Sequence, residues 1–179
     1  MTGGLRKRLG FCYLPDEEIA VAQDRLYTGR GAMMTSIEIL ISGEVSEGIH
    51  RLIQRVYYED TDFSGAVYHA RYLHFLERAR TDYFRCLGIV QSKIYDGPDG
   101  GLAFMVHRME IDFKSPARMD DLLTITTRTQ TAHGAKVVFE QEIRRGEQLL
   151  TSAKVIIAVI NRSGRPRRLP AELAQLLLG

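Results

Sequence analysis

The chain has no tryptophan and only two cysteines in 179 residues. Cys12 and Cys86 are too few for a disulfide framework or a four-ligand zinc site. They read as reduced thiols of a cytoplasmic protein, with Cys86, among apolar neighbours, as a core side chain. Long apolar runs are also missing. The longest aliphatic stretch, Val155 to Ile160, is far short of the roughly 20 residues of a spanning helix. Arg6-Lys7-Arg8 has no apolar segment behind it, so no secretory signal is expected. No charge of one sign dominates: 24 Lys and Arg against 22 Asp and Glu give a net charge of +2, without the concentrated basic face that nucleic-acid binding asks for. The sequence holds no Gly-x-Ser-x-Gly elbow. It also holds no Walker A pattern and no Gly-x-Gly-x-x-Gly.

What is present is a globular balance, 45% hydrophobic and 26% charged, enough for one domain with an appendage. Residues 1–48 are interrupted by Gly3-Gly4, Gly10, Gly29 and Gly31 and read as an N-terminal extension, disordered or outside the native start, with Met33-Met34 as an alternative start. Within it a short helix is expected from Pro15 to Tyr27, with acids at Asp16, Glu17 and Glu18. A strand is expected over Ile49–Tyr58, followed by an acidic loop from Glu59 to Gly65. Tyr72, Phe75, Leu76, Ala79, Tyr83 and Leu87 form one apolar stripe at helical spacing, predicting a helix from His69 to Leu87 that Gly88 ends. Glu77, Arg78, Arg80, Thr81 and Asp82 read as its solvent side. A second short helix is expected over Val90–Tyr95.

From Leu102 the period changes to two. Four strands are expected, over about a dozen residues from Leu102 to Phe113 and over Leu122–Thr131, Lys136–Arg144 and Leu149–Ile160, joined by short turns at Pro116–Asp121, His133-Gly134 and Arg145-Gly146-Glu147. The fold class is therefore α+β: a curved antiparallel sheet of about five strands wrapped around one long helix. Val155 to Ile160 leaves the last strand no polar face. It calls for cover on both sides and hence for an oligomer. Residues 171–179 read as a short C-terminal helix.

Asp60-x-Asp62-x-Ser64-Gly65 copies the opening of a calcium loop, but the position reserved for a bidentate Glu is Arg71, and a strand precedes the loop where a helix is required. His74 and Glu77 have helical metal-ligand spacing without a second acid–histidine helix to complete the set; pairing of Glu77 with nearby arginines is expected instead. Neither a metal nor a cofactor is expected. The junction of acidic loop, glycine and helix remains. A helix start offers free N–H donors and a positive dipole end, suited to the oxyanion of an attacked carbonyl. Asp62 lies just before it, able to attack a carbonyl or deprotonate water. Spacing alone leaves open the alternative that Asp60 and Asp62 merely cap and charge the helix.

The stretch Tyr58-Glu59-Asp60-Thr61-Asp62-Phe63-Ser64-Gly65-Ala66-Val67-Tyr68-His69, continuing through Phe75-Leu76-Glu77-Arg78-Ala79-Arg80, resembles the 4-hydroxybenzoyl-CoA thioesterase family. Within it the chain is most similar to the bacterial acyl-CoA thioesterases associated with the Tol-Pal system. Asp112–Arg118, Phe139–Ile143 and Gly164–Pro170 extend the likeness, which covers about residues 49–170. The resemblance implies a hotdog fold over 49–170 and hydrolysis of acyl-CoA without a cofactor. It also implies a catalytic aspartate at Asp62 and a backbone oxyanion donor at His69, whose side chain is a candidate for acting on the leaving group or the water. Amides near Val67, Tyr68 and His69 would polarise the carbonyl, Gly65 would let backbone approach the substrate, and Tyr72 would line the acyl pocket, with Phe75 read as core. The expected partners are acyl-CoA, an acyl carrier protein and further copies of the chain, as a dimer or a tetramer of dimers. A non-catalytic acyl-binding or scaffold role of the Tol-Pal system is the alternative, since fold does not fix function.

Residues 1–48 carry a net charge of −2 and 49–179 a net +4. Arg162, Arg165, Arg167 and Arg168, with no acid between them, equal that excess. They are either a solvated turn or the cradle of the CoA phosphates, with Arg165 and Arg167 as the candidates. No aromatics interleave them, which argues against nucleic acid.

Overall fold

A computed structural model describes residues 42–98 and 100–179. The helix expected over Pro15–Tyr27, the alternative start at Met33-Met34 and Cys12 lie outside the described residues. The elements are β1 (Glu44–Ser46), β2 (Ile49–Arg55), a 3-10 turn (Tyr58–Asp60), α1 (His69–Cys86), α2 (Gln91–Tyr95), β3 (Ala103–Phe113), β4 (Leu122–His133), β5 (Lys136–Arg145), β6 (Gln148–Ile160) and α3 (Ala171–Leu178). All strands are antiparallel in one six-stranded sheet, ordered β1-β2-β4-β5-β6-β3.

Five strands are expected from the sequence and six are found. The extra one, β1, is three residues long and falls before residue 49, within the stretch read as an extension. It is too short to show an alternation. It turns into β2 through Glu47 and Gly48, both at positive φ, the geometry of a tight primed hairpin.

The apolar stripe of α1 packs on the concave face of the sheet. Tyr72, Phe75, Leu76, Ala79 and Tyr83 are buried there with Leu123, Ile125, Phe139, Ile143, Val155, Ile157 and Val159. Phe75 is core, as read from the stripe. Truncating such a side chain costs about 3–5 kcal/mol. Two charges assigned to the solvent face of α1 are buried instead. Arg80 donates to Gln141 Oε1 at 2.7 Å, and Asp82 accepts from His50 Nε2 at 2.9 Å. A buried polar group needs such a partner, and both partners sit on distant strands. Cys86 is half-buried rather than core; its thiol faces the Gly43 carbonyl. Glu77 pairs with no arginine among the described residues; it accepts from the Thr81 hydroxyl at 2.7 Å.

The last strand divides its apolar run between two faces. Val155, Ile157 and Val159 are buried, whereas Ile156 and Ala158, on the convex face, are half-buried. Its neighbours β5 and β3 pair with its two edges. The unsatisfied surface lies at β3, the long free edge of the sheet. Among the described residues no helix is long and apolar enough to cross a membrane.

Candidate active site

The site forms where the sheet hands the chain to α1. Thr61 and Val67 bridge to each other, and Ala66 bridges to Arg118. Within the loop Asp62 N–H donates to the Ala66 carbonyl and Gly65 N–H to the Asp62 carbonyl, both at 2.9 Å. Gly65 sits at φ +75 with open space where a Cβ would stand. That left-handed conformation favours glycine.

The loop separates its two acids. Asp60 is buried, accepts the Tyr57 N–H at 2.8 Å and the Arg71 guanidinium at 2.7 Å, and so pins the loop to the first turn of α1. Arg71, at the position a calcium loop reserves for glutamate, is that acid's ion-pair partner. Asp62 is exposed and, among the described residues, accepts only from Ser64, at 2.6 Å from its hydroxyl and 2.8 Å from its amide. Those two bonds, the hydroxyl first, and to a smaller extent the His69 imidazole hold the Asp62 carboxyl below the usual carboxylate range. It is ionised at neutral pH and keeps an oxygen without a protein partner.

Four amides surround the helix start. Val67 N–H donates to the Ala117 carbonyl and Tyr68 N–H to the Asp60 carbonyl, both at 2.9 Å, so neither is available to polarise a substrate carbonyl. This corrects the expectation that the Val67 and Tyr68 amides share that task. Among the described residues the free donors are the amides of His69 and Ala70, which no carbonyl one turn earlier can reach. No acid lies within the first turn of α1 itself.

Beside these amides lies a cavity of about 250 Å³ lined by Val67, His69, Tyr72, Phe113, Lys114, Ser115 and Pro116. Tyr72 is buried, accepts the Ala117 N–H at 2.8 Å and meets Phe113 edge-on at 5.5 Å. Burial pushes its phenol pKa up, so the ring is a neutral wall with a hydroxyl. The Tyr68 ring is half-exposed, meets the His69 ring at 4.5 Å with the two planes tilted by 58°, and lies outside this lining.

The structure thus brings Gly65, Val67, His69 and Tyr72 together beside Asp62. It does not bring Arg165 and Arg167 to them. Both follow β6, whose last residue Ile160 pairs with Ala103, at the end of β3 opposite Phe113. Arg167 is half-buried and donates to the Gly101 carbonyl at 3.1 Å. Phe113, Lys114, Ser115 and Pro116 line the cavity but were not singled out as site residues. Their signal was the Asp112–Arg118 segment, one of those that carry the family likeness.

Residues 64–152 match the model of the Thioesterase superfamily, a match that opens two positions after Asp62. The acyl-CoA thioesterase YbgC of Haemophilus influenzae is 46% identical over 107 residues, 60% of this chain and 77% of that protein. The chain belongs to the thioesterase superfamily. The acyl-CoA thioester hydrolase YbgC of Escherichia coli O6:H1 is 40% identical over 66% of this chain and 88% of its own length. Among solved structures, a probable thioesterase from Bartonella henselae superposes with a TM-score of 0.66 at 50% identity, covering 68% of this chain and 99% of its own. A 4-hydroxybenzoyl-CoA thioesterase complexed with 4-hydroxybenzoyl-CoA gives 0.67 at 22% identity and supports the hotdog fold alone. The expected fold and family are those found.

Proposed function

We propose that this protein hydrolyses acyl-CoA thioesters to the free acid and CoA. The observation that carries the reading is an exposed, ionised carboxylate, Asp62, close enough to His69 to feel its charge, with the His69 and Ala70 amides unpaired among the described residues and His69 lining a largely apolar cavity. The thioester carbonyl lies against those amides, which stabilise the oxyanion as the carbonyl carbon becomes tetrahedral. Asp62 supplies the attack, either directly, with an anhydride that water then opens to the free acid and the regenerated carboxylate, or through a water that it deprotonates. His69 gives a proton to the departing thiolate. Val67, Tyr72 and Phe113 wall the acyl group.

The active unit is a homo-oligomer in the cytoplasm, assembled on the free edge of β3. An acyl group on a carrier protein would present the same thioester and pantetheine arm. Thiol release from a panel of acyl-CoAs and an acyl carrier conjugate tests the reading: turnover of at least one acyl-CoA by the parent is expected. A parent inactive on the whole panel, or Asp62→Ala as active as the parent, would sink it.

A further inference from the structure

The C-terminal end of α1 carries a cluster of side chains that thioester hydrolysis does not use. Asp82 and Cys86 stand four residues apart on the helix, the spacing that puts two ligand atoms on one face. His50 reaches them from β2. Its Nε2 lies 2.9 Å from Asp82 Oδ2, and Cys86 Sγ lies 3.9 Å from the same oxygen. One ligand atom of each residue falls within 4.8 Å of the other two. Tetrahedral bonds of about 2.0–2.3 Å to one ion set ligand atoms roughly 3.3–3.7 Å apart, so small side-chain shifts bring these three into place.

Two further observations mark the same spot. His50 is fully buried, and its Nδ1 has no partner among the described residues, although buried polar atoms are normally paired. The ring is therefore held from its Nε2 side, where the carboxylate and the thiol converge. Gly43 keeps that side open. A Cβ there would stand 2.6 Å from His50 Nε2 and 2.2 Å from the Arg51 carbonyl oxygen. The Gly43 N–H donates to Asp82 at 2.6 Å, and its carbonyl faces the Cys86 thiol at 3.4 Å.

The donor set is one imidazole, one carboxylate and one thiol. Calcium and magnesium take oxygen ligands, whereas sulfur together with imidazole selects zinc. The charges also close. One carboxylate and one thiolate neutralise a divalent ion, and a neutral site is the least costly to bury. Cys86 is only half-buried, which gives the ion a way in. The sequence expectation of no metal rested on local spacing, and His50 is 32 residues from Asp82.

We propose that His50 Nε2, an Asp82 carboxylate oxygen and Cys86 Sγ hold a zinc ion, with a fourth position for water, and that the ion clamps β2 to the C-terminal end of α1. His50 binds through the lone pair of Nε2. The Cys86 thiol gives its proton to solvent as the sulfur–zinc bond forms. No electron is transferred. The ion lies at the opposite end of α1 from Asp62 and takes no part in hydrolysis.

Metal titration of the full chain tests it. Cys12→Ser serves as the parent, so that Cys86 is the only thiol, kept under reductant and stripped with a chelator. Zinc alone should bind as one ion per chain. Cobalt in its place should give a thiolate-to-metal charge-transfer band together with tetrahedral visible bands. Zinc at about 100 times its dissociation constant should raise the ratio of folded to unfolded chain about 100-fold, read from denaturant midpoints. Adding Cys86→Ser should abolish the charge-transfer band and weaken zinc binding at least about tenfold, since even groups that only orient ligands cost that much. A parent that binds no zinc at micromolar concentration, a cobalt spectrum without the thiolate band, or a Cys86→Ser chain with the parent's affinity, which would mean an adventitious ion only, overturns the proposal. Should Cys86→Ser fail to fold, the cobalt band of the parent decides alone: its presence supports the site and its absence overturns it.

Discussion

Helix α1 has an aspartate beside a histidine at each end, and the two pairs behave oppositely. At the C-terminal end Asp82 accepts from His50 Nε2 at 2.9 Å and from the Gly43 amide at 2.6 Å, with the Cys86 thiol at 3.9 Å. His50 is fully buried. Burial raises the Asp82 pKa, but the bonds from His50, Gly43 and Ser42 outweigh it and the net shift is downward. Burial and the Asp82 charge push the neighbouring Cys86 thiol up to about 11, which leaves it without thiolate character at neutral pH. At the N-terminal end Asp62 is also held low, yet it is exposed and bonded only to a residue of its own loop. A lowered pKa therefore does not distinguish the pairs. What distinguishes them is unused bonding capacity beside a cavity: Asp62 keeps an oxygen free, whereas Asp82 spends its bonds tying β2 and the residues before it to α1.

The contrast can be broken at several points. Apart from Asp62 itself, the largest expected effect is on the oxyanion donors. His69 is the first helical residue and Tyr68 before it is extended, so proline fits at 69 with little strain. His69→Pro should turn over about 10²–10³-fold more slowly than His69→Ala, because only the proline removes the amide. Equal rates in thiol release would place the oxyanion elsewhere.

The next effect is on stability. Asp82→Asn should lower unfolding free energy by about 2–3 kcal/mol, the worth of bonds to a buried charged group, read from denaturant midpoints. Since the folded pKa of Asp82 lies below its unfolded value, its contribution is present above the unfolded value and lost as pH falls through the folded one. Acid unfolding of Asp82→Asn should accordingly be the less steep of the two; parallel curves would remove Asp82 from the linkage.

A smaller effect is expected at Ser64. Ser64→Ala removes the bond that most lowers the Asp62 pKa, so the acidic limb of the pH–rate profile should move to higher pH while the rate at pH 7 stays nearly constant. A limb that stays put would mean that another group controls it. Tyr72→Phe should cost least, about 1 kcal/mol for the bond from the Ala117 amide, measured as a lowered unfolding midpoint. An unchanged midpoint would show that bond to be dispensable.

Local patterns made much of this legible. The stripe from Tyr72 to Leu87 reads as α1 because burial on one side imposes its spacing, and β3 to β6 alternate between short glycine turns. What stayed hidden depends on partners distant in sequence. Arg80 and Asp82 look like a solvent face until Gln141 and His50, 61 and 32 residues away, are brought to them. The identity of the free amides was invisible for the same reason. The carbonyls of Asp60 and Ala117 decide it, and Ala117 comes from the chain beyond β3. Asp62 was marked by its loop, but only the buried bonds of Asp60 separate the structural acid from the available one.

The most direct test compares Asp62→Asn and Asp82→Asn in one pair of assays, thiol release per folded molecule at pH 7 and the unfolding midpoint. Asp62→Asn should lose about 10²–10⁴-fold in rate with its midpoint nearly unchanged, and Asp82→Asn should lose stability while each folded molecule keeps the parent's rate. A full rate in Asp62→Asn, or a lost rate in folded Asp82→Asn, would contradict the assignment of chemistry to one end of α1 and architecture to the other.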